Sequence, residues 1–150
     1  SLFGIITKPN KEKIQFAKEL GLNKLLIMPE NFASGKALID YQKIGISLEI
    51  GPHGDKEKTK EVIEKITNHI NNKPQEEKLE IYEPIEIIKR TEDKILIENF
   101  KEVKKGQQIT ESQIAEYDFI PVLVGEKSYS NVLCVACKKL NKEYLYTANE

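Results

Sequence analysis

One carboxylate sits where packing alone does not call for it. Glu49 lies in Ser47-Leu48-Glu49-Ile50-Gly51-Pro52, at the carboxyl end of a short apolar run that reads as a buried strand. In open α/β sheets, ligands bind at that end. A carboxylate buried there is tolerated only with a cation, a metal or a raised pKa. On a half-exposed edge strand the same residue points to solvent, and the residues alone leave both readings open. The two histidines add little. His53 is followed three residues later by Lys56 and His69 by Asn72, so neither starts a His-x-x-Glu or His-Glu-x-x-His zinc pair. His53 reads as a surface turn residue and His69 as part of a solvated helix face. Cys134 and Cys137 have Cys-x-x-Cys spacing but lie in Val132-Leu133-Cys134-Val135-Ala136-Cys137. That β-branched, apolar setting predicts a strand with buried, inert thiols in a reducing compartment. Gly-x-x-x-x-Gly-Lys, Gly-x-Gly-x-x-Gly and Gly-x-Ser-x-Gly motifs are all missing.

Composition narrows the partners. The 150 residues carry a formal net charge of −1, which argues against recruitment by nucleic acid or an anionic membrane. With 39% hydrophobic and 31% charged residues, the chain can bury a core. No apolar run approaches the ~20 residues that a bilayer demands, and no signal-peptide pattern stands at the start. A cytoplasmic protein is expected. There are 22 lysines but one arginine, Arg90, which bears on how a carboxylate would be recognised.

The elements that must position Glu49 alternate in type. Leu2 to Thr7 reads as a buried strand and Asn10 as a helix N-cap. Ile14, Ala17 and Leu20 follow at helical spacing, with Gly21 at the C-terminal αL position. Leu25 to Met28 is a second strand, residues 30–45 read as a loop with a short helix, and Ile46 to Ile50 is a third strand. From Asp55, the stripe Val62, Ile63, Ile66 and Ile70 marks a second helix. Such an order predicts an α/β layer with parallel strands. Beyond Lys73-Pro74-Gln75-Glu76-Glu77 the period becomes two, with Leu79, Ile81, Ile85 and Ile87 alternating with polar residues. Further strand candidates are Ile95 to Ile97, Ile120 to Val124 and Asn131 to Ala136. The expected organisation is residues 1–74 as part of an α/β domain and 75–150 as a small β-rich domain. Three strands and two helices are few for such a sheet. Either the fold is minimal or strands and helices are missing upstream.

At this point two segments carry a family resemblance. Ile44-Gly45-Ile46-Ser47-Leu48-Glu49-Ile50-Gly51-Pro52 resembles the Gly-Ile-x-x-Glu-x-Gly-Pro segment of the succinylglutamate desuccinylase/aspartoacylase family, zinc-dependent deacylases with a metallocarboxypeptidase-like fold. Ile120-Pro121-Val122-Leu123-Val124-Gly125-Glu126-Lys127-Ser128-Tyr129 resembles that family's C-terminal Pro-Val-Phe-x-x-Glu-x-x-Tyr stretch. The two occur in the family's order. The resemblance implies a partial parallel or mixed sheet with flanking helices, the C-terminal part of a metallocarboxypeptidase-like fold, followed by a small β-rich domain. It implies that Glu49 is the general base acting on zinc-activated water and that Tyr129 reaches the substrate's carboxylate. Lys36, in Ala33-Ser34-Gly35-Lys36, is the nearest cation to the position of the family's substrate-binding arginine, and it would act as a point charge, not a bidentate fork.

The family's His-x-x-Glu zinc pair has no counterpart here, and its third ligand, a histidine, lies shortly before the strand that begins at Leu2. The implied parent is therefore a zinc-dependent amidohydrolase cleaving the N-acyl amide bond of a small carboxylate-bearing substrate such as an acylated amino acid. This chain is expected to be its C-terminal fragment, to hold no zinc and to be inactive alone. A truncated sheet exposes an edge and a face, which predicts edge pairing or a homodimer. The rival from another class is a non-catalytic binding or assembly module that pairs through the β-lobe edge strands.

Overall fold

The apolar run that opens the sequence becomes β1 (Phe3–Ile6), which lies between β2 and β3 in the sheet and gives Ile6 to the first core. The structure is a computed structural model and describes residues 2–28, 38–51, 55–75, 78–91, 93–126 and 131–140. Gly4 sits mid-strand because a Cβ there would approach Leu22 Cδ1 and Leu25 Cδ1 to 2.9 Å. After β1 the chain enters α1 (Lys11–Glu19), whose N-cap Asn10 accepts a hydrogen bond from the Lys13 N–H at 2.8 Å. Gly21, at φ +66°, turns the chain out of the helix into β2 (Lys24–Ile27). Helical spacing puts Ile14, Ala17 and Leu20 on one face, and all three are buried as that spacing predicts.

A single 3-10 turn at Leu38–Tyr41 precedes β3 (Ser47–Glu49), and α2 (Lys56–Ile70) follows, capped by Asp55 on the Lys58 N–H at 3.0 Å. The remaining strands are β4 (Glu80–Lys89), β5 (Ile120–Val122) and β6 (Val132–Leu140). Among the described residues these are six strands in one mixed sheet, in the order β3-β1-β2-β4-β6-β5, with two α-helices. The architecture is α/β, as expected.

One expectation is corrected. β1, β2 and β4 are parallel, but β3 pairs antiparallel with β1, in the register Phe3↔Glu49, Gly4↔Leu48 and Ile5↔Ser47. A parallel return normally requires a crossover helix. Between β2 and β3 the regular element among the described residues is the 3-10 turn at Leu38–Tyr41.

The chain divides into two compact units. The first holds the described residues up to Tyr82, with Leu140; its core includes Leu2, Ile6, Ile14, Leu25, Val62 and Ile81. The second, Glu83–Lys139, is built around Ile97, Val103, Ile109, Phe119, Leu133 and Cys134. Within it, Ile95 makes only an isolated bridge to Thr110, so the strand expected at Ile95–Ile97 is a single rung. Cys134 and Cys137 are free and fully buried in β6, and burial pushes both thiols up to about 12. Thiols so far from ionisation are inert at neutral pH. No helix among the described residues is long and apolar enough to cross a membrane.

Candidate functional site

Glu49 closes β3, a three-residue strand at one end of the sheet order, and it is half-buried. Ile46, Leu48 and Ile50 pack against the first core beside the two helices. Successive strand residues face opposite ways, so Glu49 projects to the other face of the sheet, the face that Phe3 shares across the pair. None of the described residues hydrogen-bonds or ion-pairs with its carboxylate. The carboxyl end of β3 is, because of the antiparallel pairing, the amino end of β1. Glu49 therefore lies at the opposite end of the parallel strands from the one expected for it. Lys36, Tyr129 and His53 lie outside the described residues.

The carboxyl end of β1 carries a polar cluster that sequence reasoning missed. Thr7, 1% exposed, donates its hydroxyl proton to Asp40 Oδ1, and Lys13, 2% exposed, donates from Nζ to the Thr7 carbonyl at 2.8 Å. Asp40 Oδ2 is buried with no hydrogen-bond partner. Burial lowers the Lys13 pKa from its usual range; the facing Asp40 carboxylate works against that shift, and Lys8 adds to it. A signal was present in the sequence: Lys13 precedes Ala17 by four and Leu20 by seven, which puts it on the buried stripe of α1. β1 spans only four residues, ~13 Å at strand rise, and separates this cluster from Glu49. The structure thus offers two polar ends of one strand, not one convergent constellation.

His69 is not the solvated residue its spacing suggested. Its ring meets Phe16 edge-on, with centroids 5.3 Å apart, and it is half-buried. The cleft it lines with Gln15, Lys18, Asn72 and Gln75 encloses about 590 Å³ in the first unit and does not include Glu49. In the second unit the Tyr117 hydroxyl donates to Glu86; burial first, then that bond, raises the phenol above its usual range. This pair borders a smaller cleft of about 260 Å³ with Ile88, Gln113 and Phe119.

The donors among the described residues do not assemble into a zinc site. Among the described residues no group of three or more His, Cys, Asp or Glu side chains is placed to hold a metal. The two thiols are buried and far from the thiolate form that zinc takes, and His69 is engaged with Phe16.

No protein-family model matches the sequence, and no curated protein matches it. Solved structures do. A mutant of murine aminoacylase 3 superposes with TM-score 0.66 at 16% identity, over 93% of this chain and 58% of that one. Succinylglutamate desuccinylase from Vibrio parahaemolyticus gives 0.63 at 14% identity, over 93% of this chain and 49% of that one. The enzyme from Chromobacterium violaceum gives 0.55 at 15%, over 93% and 50%. The chain spans about half the length of these structures and has the fold of their C-terminal portion.

Proposed function

We propose that this fold is the C-terminal part of a hydrolase that cleaves the N-acyl amide bond of a small carboxylate-bearing substrate, such as an acylated amino acid. Glu49 is its general base. It takes a proton from the attacking water and delivers it to the departing amine, a role that needs a carboxylate at the rim of a site rather than inside a core. Tyr129 and Lys36 are the substrate-carboxylate contacts; Lys36 acts as a point charge. The catalytic zinc belongs to ligands outside these 150 residues, so the isolated chain neither binds it nor turns over. Buried free thiols suit a reducing compartment, in keeping with a cytoplasmic enzyme.

The observation that carries the reading is the register Phe3↔Glu49. It sets the carboxylate at the amino end of β1, and the family resemblance puts the third zinc ligand, a histidine, shortly before that strand. General base and metal would then be neighbours through a single strand pair. The likeness to aminoacylase and desuccinylase structures supports the same class of reaction.

The test compares two polypeptides. The protein translated from the whole reading frame is assayed on a panel of N-acyl amino acids and analysed for metal; residues 1–150 are treated identically. The proposal expects zinc and amide hydrolysis in the first and neither in the second. Stoichiometric zinc on residues 1–150, or a folded whole protein that cleaves none of the panel, would overturn it.

A further inference from the structure

The apolar side chains of α2 occupy one arc of about 100° around the helix: Val62, Ile63, Ile66 and Ile70. Val62, at the border of that arc, is buried. The three isoleucines are not: Ile63 is 58% exposed, Ile66 40% and Ile70 71%. The half-buried side of the helix is made instead by Lys58, Glu61, Lys65, Asn68 and His69. Polar bonds hold that side in place. Lys65 Nζ donates to the Gly21 carbonyl, and Gln75 Nε2 donates to the carbonyls of Lys65 and Glu19 at 2.9 and 3.1 Å. An amphipathic helix in a completed fold is oriented the other way, with its aliphatic stripe inward.

We propose that the Ile63–Ile66–Ile70 stripe seats the remainder of the fold, an aliphatic surface contributed by the polypeptide that the matched structures carry beyond the portion this chain covers. Those structures are about twice as long as the part matched, with 49% to 58% of their length covered. The size of the patch selects this occupant over a second copy. Three partly exposed isoleucines offer on the order of 300 Å², against the ~800 Å² per partner that a stable dimer buries. A separate partner also has to overcome the loss of translational and rotational freedom, whereas a covalently continuous segment is already present at high effective concentration. The inference rests on the proposed reading of this chain as the C-terminal part of a longer fold and on the exposure of α2, not on the role of Glu49.

The experiment places Ile66→Lys in residues 1–150 and in the protein translated from the whole reading frame, and follows thermal unfolding of each. Light scattering on residues 1–150 runs alongside. In residues 1–150 the midpoint is expected to move by less than ~2 °C, because the side chain meets water. In the longer protein it is expected to fall by ~5 °C or more. Failure of that variant to fold, when its parent and the short variant both fold, supports the proposal equally; Ile66→Val then supplies a graded, smaller loss. Equal shifts in the two polypeptides, a reading frame that starts immediately before Ser1, or a dimer of residues 1–150 abolished by Ile66→Lys would each overturn it. A longer protein that cleaves none of the acylated amino acids can still show the larger loss here, so failure of the reaction and failure of the docking are distinguishable, while a reading frame that starts immediately before Ser1 ends both.

Discussion

The two helices of the first unit obey opposite packing rules. α1 turns Ile14, Ala17 and Leu20 into the core, and these apolar residues are all at or below 6% exposed. α2 has the longer run and the stronger apolar stripe, yet it buries only Val62 of four candidates. Both are capped alike, Asn10 on one and Asp55 on the other, so local signals do not distinguish them. The difference lies in what each has to pack against. Helical period states that an apolar face exists; only tertiary structure states whether this chain supplies its cover.

That contrast can be broken by mutation, starting where the effect is largest. Ile14→Ala in residues 1–150 is expected to cost about 2–4 kcal/mol by denaturant unfolding, since the side chain is 3% exposed and its removal leaves a cavity. A loss under ~1 kcal/mol would mean that α1 is no better buried than α2. Removing the caps comes next: Asn10→Ala and Asp55→Ala should each cost about 1 kcal/mol, and about equally, because both side chains accept from a first-turn N–H. A large inequality would show that one helix draws its stability from tertiary contacts rather than from its cap. The smallest effect belongs to Ile66→Ala, expected within about 0.5 kcal/mol in residues 1–150.

Lys13 sharpens the comparison through pH. It is the one lysine that α1 buries, and its pKa is lowered mainly by desolvation. When the folded-state value lies below the unfolded one, the unfolded chain binds more protons in the interval between them, and stability rises with pH there. The unfolding free energy of the parent, measured relative to Lys13→Met, should therefore climb as pH rises through the alkaline range toward 10.5. A flat difference would place Lys13 in water, like the exposed lysines of α2.

Much of this fold is legible in the sequence. The apolar runs at Leu2–Thr7 and Leu25–Met28, the caps Asn10 and Asp55, Gly21 at a positive φ and the buried thiols of β6 all follow from local chemistry. Three features do not. The direction of β3 depends on its pairing with β1, more than forty residues earlier in the chain, and a three-residue strand carries no mark of orientation. The exposure of Ile63, Ile66 and Ile70 depends on a cover that spacing cannot name. The link between Thr7 and Asp40 spans 33 residues, although the place of Lys13 on the α1 stripe pointed to half of the cluster. At the site, Glu49 stands out because charge is unusual in an apolar run, but what it faces is fixed by register, which the residues do not encode locally.

The account depends most on that carboxylate. The direct measurement is the rate of N-acyl amino acid hydrolysis by the whole-reading-frame protein carrying Glu49→Gln, with unfolding of the variant checked in parallel. Loss of the general base predicts a 10²- to 10⁴-fold fall in kcat with the unfolding midpoint unchanged. A variant that folds normally and keeps the parent rate would contradict it.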